Sequence, residues 1–175
     1  MKNDPIIIVA GEPNSVFLEL FFKTIKVKKF KRPLILICSL KLLKLQMNKL
    51  KFKKKIKKIN YADLSSEILD NTSINLIDIK FDQKIPFKKI SKNSKNYIEK
   101  SFNLAFKIIK LGLANKLING PISKKYFLRK KFPGITEYVG FKTNTKDPVM
   151  LIYNKKLSVV PLTTHIPLKN VVKFI

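Results

Sequence analysis

Residues 117–136 read LINGPISKKYFLRKKFPGIT, and residues 163–167 read TTHIP. Each stretch grows out of an apolar run of strand type, Lys116–Asn119 for the first and Leu157–Leu162 for the second. Each then turns abruptly at Gly, Pro or His and leaves polar groups where a strand ends. In an open α/β sheet that carboxyl rim is where ligands bind. The second stretch holds His165, the only histidine of the chain.

Moving outward, the chain opens with a short continuous apolar run, Ile6–Ala10, the mark of a strand buried on both faces. Gly11-Glu12-Pro13 turns it, and Asn14 or Ser15 is placed to cap a helix over Val16–Ile25, where Val16, Leu20, Phe21 and Ile25 keep helical spacing. Pro33 precedes a second strand, Leu34–Cys38. Ser39 caps a helix running to about Leu50. The Lys-rich residues 41–58 read as a solvated surface arm rather than a phosphate-binding patch, because only Phe52 interrupts the lysines. Asn75–Ile79 reads as a third strand, near an edge since Asp78 breaks its apolar run.

The clearest helix starts at Asn93 or Ser94. It carries Tyr97, Ile98, Phe102, Ala105, Phe106, Ile109 and Leu111 on one wide face and ends at Gly112. After the strand Lys116–Asn119, Ser123 caps a helix over residues 124–130. Pro133-Gly134 breaks the chain, and Thr136-Glu137 opens another helical segment. Val149–Tyr153 and Leu157–Leu162 read as a hairpin joined by Asn154-Lys155-Lys156, and Leu168–Ile175 as the start of a helix.

The 175 residues suffice for one compact domain, and 45 % apolar content is ample for a core. The one cysteine, Cys38, lies inside an apolar run and has no intramolecular partner, which points to a reduced compartment and a buried thiol. Only five apolar residues follow Met1–Pro5, fewer than the ~7–15 of a secretory core, and no run reaches the ~18 residues of a membrane span. The chain is therefore read as a soluble cytoplasmic protein. The net charge of +26 invites a nucleic-acid reading, but all the cations except Arg32 and Arg129 are lysines. Base and bidentate phosphate recognition favour arginine. The lysines also spread over every segment and accompany an excess of Ile, Asn and Phe, as an AT-rich coding sequence would produce. Nucleic acid is thus not the expected partner.

On spacing alone His165 fits two readings, a hydrogen-bonded structural residue or a metal ligand. A catalytic zinc site takes about three protein ligands, and no second histidine or Cys–His cluster exists to complete one. Glu12, at the end of the first strand, reads as a turn anchor or a catalytic carboxylate. With five glycines there is no Gly-rich phosphate cradle, no GxGxxG and no P-loop.

Five motifs occur in a fixed order: Gly11-Glu12-Pro13, NGPISK at 119–124, PGITE at 133–137, VML at 149–151 and TTHIPL at 163–168. In this the chain resembles the amino-terminal part of 4-hydroxythreonine-4-phosphate dehydrogenase, the PdxA family of vitamin B6 biosynthesis. The resemblance is densest over 117–168. It implies an α/β fold, a three-layer α/β/α sandwich of the isocitrate/isopropylmalate dehydrogenase-like type, of which residues 1–175 form the amino-terminal portion without the second half. It further implies a cytoplasmic homodimer, NAD as hydride acceptor, and a divalent metal (Zn, Mg or Co) held by three histidines. The implied reaction is oxidation and decarboxylation of 4-phosphooxy-L-threonine to 3-amino-2-oxopropyl phosphate.

By the same resemblance His165 falls on a metal ligand, Thr136 on a substrate-binding threonine, and Lys124 on the lysine of a GPxxK motif. Ile135 stands where the family has a substrate-contacting histidine, a departure that puts substrate affinity or identity in question. As a partial enzyme, the chain alone is expected to close no metal site and to be inactive. Two other classes compete with this reading: a basic α/β nucleic-acid-binding domain, and a non-catalytic remnant of the family.

Overall fold

The structure is a computed structural model that describes residues 4–129, 131–164, 166–173 and 175. The chain divides into two compact units, Met1–Phe127 and Leu128–Ile175.

The first unit is built on a five-stranded parallel sheet. Its elements in chain order are β1 (Ile6–Val9), α1 (Phe17–Val27), β2 (Leu34–Cys38), α2 (Leu40–Lys49), β3 (Ile56–Lys58), β4 (Ile74–Asp78), α3 (Lys95–Lys110) and β5 (Lys116–Asn119). The strands lie in the order β3-β4-β2-β1-β5, and every pair is parallel. Side chains of a strand alternate between faces. Ile8, Ala10, Leu36, Cys38 and Leu76 join Leu18, Phe21 and Phe22 of α1 and Leu43 and Met47 of α2 in one apolar cluster. Residues of the other parity, Ile7, Val9, Ile35 and Ile37, are fully buried on the opposite face, where α3 packs against β1 and β2. Tyr97, Ile98, Phe102, Ala105 and Ile108 are the buried stripe of α3. The sheet therefore has helices on both sides, which is why β1 and β2 are continuous apolar runs, and the unit is the three-layer α/β/α arrangement that the resemblance implies.

Several local expectations hold. Ser39 caps α2, its hydroxyl accepting from Leu42 N at 3.3 Å. Gly112 closes α3 at φ +71°, a conformation that glycine adopts without a Cβ penalty. Cys38 is wholly buried.

Others are corrected. The Lys-rich arm ends in strand β3, which pairs Ile56 with Ile74 and Lys58 with Leu76. Three residues are too few to show a period in sequence. β4 does lie near an edge, one strand in from β3, and Asp78 ends it with its Oδ1 accepting the Leu40 amide at 2.9 Å at the start of α2. The cap expected of Asn14 or Ser15 reduces to Ser15 Oγ accepting from Phe17 N at 3.3 Å, because the Asn14 side chain is engaged elsewhere. The helix expected over 124–130 is a single π-helical turn, Lys124–Leu128, with Ser123 Oγ accepting from Tyr126 N at 3.2 Å.

The second unit holds α4 (Ile135–Thr143) and a two-stranded antiparallel sheet of β6 (Ile152–Tyr153) and β7 (Ser158–Val159). Gly134 precedes α4 in extended conformation, and a Cβ there would lie 2.9 Å from Glu137 Oε2. A carboxylate in the first turn suits the positive end of the helix. Asn144 ends it at φ +55°. Phe132 meets Tyr138 edge-on at 5.5 Å and Phe141 at 5.3 Å. The hairpin is shorter than its apolar runs: the turn closes with Asn154 N donating to Leu157 O at 3.0 Å, and two residues per strand are paired. The helix expected over Leu168–Ile175 is a 3-10 helix, Leu168–Lys173.

One polar tie crosses the first unit. Glu12 is 2 % exposed, and its Oε2 accepts from Ser94 Oγ at 2.7 Å, joining the β1–α1 turn to the start of α3. Burial pushes the Glu12 carboxyl above its ordinary value, while the bonds from Ser94 and the Asn14 amide pull the other way. Its contribution to stability is thus complete below the ordinary glutamate pKa and lost as pH rises through the raised folded value. Asp70 and Asp82 are held below their ordinary values, first by the hydrogen bonds of Thr72 and Lys41 respectively. Their contributions disappear in a lower window, as pH falls through those lowered values.

Two outcomes follow. Glu12→Gln should flatten the fall in stability on going from weakly acidic to neutral pH, read from urea midpoints, and leave the acid limb set by Asp70 and Asp82 in place. Phe102, fully buried and stacked 5.9 Å from both Phe106 and Phe127, should cost about 3–5 kcal/mol on truncation to Ala in the same measurement.

Candidate functional site at the carboxyl rim of the sheet

Strand order reverses between β1 and β5: β1 leads through α1 to β2 on one side, whereas β4 leads through α3 to β5 on the other. The carboxyl ends of neighbours at such a reversal open a crevice. Here the two ends are Gly11-Glu12-Pro13 and Asn119-Gly120-Pro121. Gly120 N donates to Val9 O and Glu12 N donates to Pro121 O, both at 2.8 Å. The loops approach so closely that a Cβ on Gly11 would fall 2.4 Å from Pro121 O, and one on Gly120 would fall 2.2 Å from Ala10 O. Gly11 also takes φ +74°. These two glycines are required by the contact itself.

Polar side chains brace the rim from behind. Asn14 and Gln83 exchange amide hydrogen bonds, with Asn14 Nδ2 donating at 3.3 Å and Gln83 Nε2 at 2.9 Å. Asn14 Oδ1 also accepts from Lys88 N at 2.8 Å. Gln46, wholly buried on α2, donates to Pro13 O at 2.9 Å and Pro86 O at 2.8 Å. A cavity of about 300 Å³ opens here, lined by Asn14, Lys80, Gln83, Lys88, Lys89, Ser94 and Tyr97 among others. The sequence reading missed this amide lattice. Glutamine and asparagine carry no periodic signal, and Gln83 lies 69 residues from its partner.

Of the residues singled out in sequence, Lys124 lies in the first unit, exposed on the π turn after β5. Ile135 and Thr136 are adjacent in the second unit, at the first two positions of α4 and half-buried. His165 lies outside the described residues. Among the described residues no group of three or more His, Cys, Asp or Glu side chains could hold a metal. Cys38 is sealed in the core, where burial pushes its thiol far up, so it is no ligand. Among the described residues no helix is long and apolar enough to cross a membrane.

Comparison with known proteins places this arrangement. A family model described as pyridoxal phosphate biosynthetic protein PdxA matches residues 29–175. The 4-hydroxythreonine-4-phosphate dehydrogenase of Sulfurihydrogenibium sp. (strain YO3AOP1) is 37 % identical over 120 residues, which are 67 % of this chain and 35 % of that protein. The protein of the same name from Aquifex aeolicus is 32 % identical over 182 residues, 99 % of this chain and 53 % of its own. A solved structure of a putative 4-hydroxythreonine-4-phosphate dehydrogenase from Salmonella typhimurium covers 97 % of this chain and 54 % of its own, with TM-score 0.82 and 21 % identity. One from Burkholderia phymatum covers 97 % and 52 %, with TM-score 0.80 and 21 % identity. At that identity the structures speak for the fold alone. The chain spans about half the length of the curated relatives it matches. Since the family model runs through residues 29–175, well over half of the sequence, this chain belongs to the PdxA family of pyridoxal phosphate biosynthetic proteins.

Proposed function

We propose that this chain supplies part of a 4-hydroxythreonine-4-phosphate dehydrogenase. The enzyme would use NAD and a divalent cation (Zn, Mg or Co) to oxidise and decarboxylate 4-phosphooxy-L-threonine to 3-amino-2-oxopropyl phosphate in vitamin B6 biosynthesis. One observation carries the reading: the PdxA family model spans the ordered motifs from NGPISK to TTHIPL, and the curated relatives are named for that dehydrogenase.

The described residues of this chain do not make a metal site by themselves. Its described residues offer no cluster of ligands, its thiol is sealed, and it has one histidine. His165 would be one ligand of several to the cation, the others coming from outside this chain's described residues. Nor do five glycines build a cradle for a dinucleotide. What the chain contributes is binding. The Thr136 hydroxyl, in the first turn of α4, donates to or accepts from a substrate oxygen. Lys124 offers a compact exposed charge suited to a phosphate. Ile135 offers an apolar contact where an imidazole would add a hydrogen bond. The chain's own part in a homodimer belongs to the same proposal.

Calorimetric titration of the purified chain with 4-phosphooxy-L-threonine tests the substrate assignment. Thr136→Val should weaken binding roughly tenfold and Ile135→His strengthen it by a similar factor, the worth of about one charge-assisted hydrogen bond. Heats indifferent to both substitutions would remove the assignment. A steeply salt-dependent affinity for RNA or DNA, exceeding that for the amino-acid phosphate, would favour the nucleic-acid reading instead. Zinc titrated into the same chain should give no tight one-to-one binding, because one histidine falls short of the ~3 ligands such a site takes. A tight stoichiometric zinc site would contradict the part given to His165.

A further inference from the structure

Another cavity opens at the opposite, amino-terminal rim of the sheet. It lies where β2 and β4 begin, beside the last turn of α1, and has a volume of about 500 Å³. That size falls within the ~300–1,000 Å³ of small-molecule sites. Its floor is apolar: Phe21, Ile25, Phe30, Leu34 and Ile74. Phe21, Leu34 and Ile74 are buried, and Ile25 and Phe30 are half-buried. All five belong to or pack on the apolar cluster beneath α1 and α2.

Four lysines also line the cavity. Lys26, Lys28 and Lys29 stand at the end of α1 and just after it, and Lys54 stands in the segment that leads to β3. Lys54 is half-buried and the other three are exposed. Among the described residues none of the four lies within ion-pair distance of a carboxylate, and no Asp or Glu lines the cavity. Asp70, the nearest acid in sequence to Asn71, has its Oδ1 taken by the Thr72 amide and hydroxyl.

Hydrogen bonds set the walls in advance. Asn71 Nδ2 donates to Phe30 O at 3.0 Å and Arg32 O at 2.9 Å, while its Oδ1 accepts from Leu34 N at 3.0 Å. Ile74 N donates to Lys55 O at 2.8 Å, and Lys28 N donates to Thr24 O at 2.9 Å. Both lysine-bearing segments are thus tied down, and a ligand has little chain to order.

Floor and rim together discriminate between occupants. An inorganic anion or a nucleic-acid backbone would use the lysines and leave the apolar floor wet. A neutral apolar body would fill the floor and leave four like charges without a counter-ion. Lysine stems lie along apolar surface while their ammonium groups stay at the water. An apolar body with an anionic end uses both parts.

We propose that this cavity binds a free single-chain amphiphilic anion, its acyl chain seated on Phe21, Ile25 and Phe30 and its anionic head among Lys26, Lys28, Lys29 and Lys54. The site lies at the other end of the strands from Gly11 and Gly120 and does not depend on the dehydrogenase reaction.

The test is calorimetric titration of the 175-residue chain with dodecanoate. Binding should be one-to-one and at least ~10-fold tighter than that of octanoate, since each buried methylene is worth about fourfold. Lys26→Gln, Lys28→Gln, Lys29→Gln and Lys54→Gln combined should weaken it by roughly tenfold or more, from four exposed charge contacts of modest worth each. A control variant with Lys92→Gln, Lys100→Gln, Lys110→Gln and Lys116→Gln loses the same charge elsewhere and should bind as the parent does. Circular dichroism should be the same for all three proteins, because seven of the eight lysines are exposed and Lys54 is half-buried. Equal weakening in the two variants would make general basicity the cause and overturn the proposal. Affinity indifferent to acyl length would overturn it too. So would co-sedimentation with phosphatidylglycerol vesicles without any one-to-one dodecanoate heat, which would make a bilayer surface the partner.

Discussion

The backbone contact between Gly11 and Gly120 is the constraint on which the rim depends. A parallel sheet offers ligand chemistry only where its carboxyl ends are held in fixed relation. Here two loops from strands more than a hundred residues apart are clamped by reciprocal amide–carbonyl bonds at a separation that excludes any side chain. The rest of the first unit maintains that clamp. Helices on both faces keep β1 and β2 dry. Glu12 and Ser94 tie one loop to α3, while Gln46 ties the same turn to α2. Burying a carboxylate raises its pKa and costs stability at neutral pH, so the Glu12 tie is a conformational device more than a source of net stabilisation.

Much of this architecture was legible in the residues. Strands buried on both faces announce themselves as continuous β-branched runs, as at Ile6–Val9 and Leu34–Cys38. A helix with an uninterrupted apolar stripe and a terminal glycine, α3, is equally plain. What escaped was whatever depends on partners distant in sequence. β3 is three residues long and two of them are lysines, so it becomes a strand only because β4 offers a backbone to pair with. Asp78 marked a strand near an edge, and β4 does lie one strand in from β3, but the residue's role was not visible. Its true partner is a helix amide at position 40. The Asn14–Gln83 pair had no sequence signal at all, while the motifs at 119–124 and 163–168 pointed to the family without any coordinates.

The charge of +26 finds structural accommodation rather than a stripe. Lysines occupy exposed helix faces and the edge strand, where Lys57 reaches Glu67 at 2.7 Å and the Ile68 carbonyl at the same distance. Charged residues on a short edge strand also discourage strand addition from that side. The lysines are thus dispersed across the surface of the first unit.

Cys38 carries a last consequence. Its thiol sits at the carboxyl end of β2 with no exposure, on the face of the sheet covered by α1 and α2. A thiolate is the reactive form, and burial disfavours it. Alkylating reagents therefore reach this sulfur only when β2 leaves its neighbours, and with no second cysteine in the chain to confuse the readout, the labelling rate is a built-in clock for the opening of the central sheet.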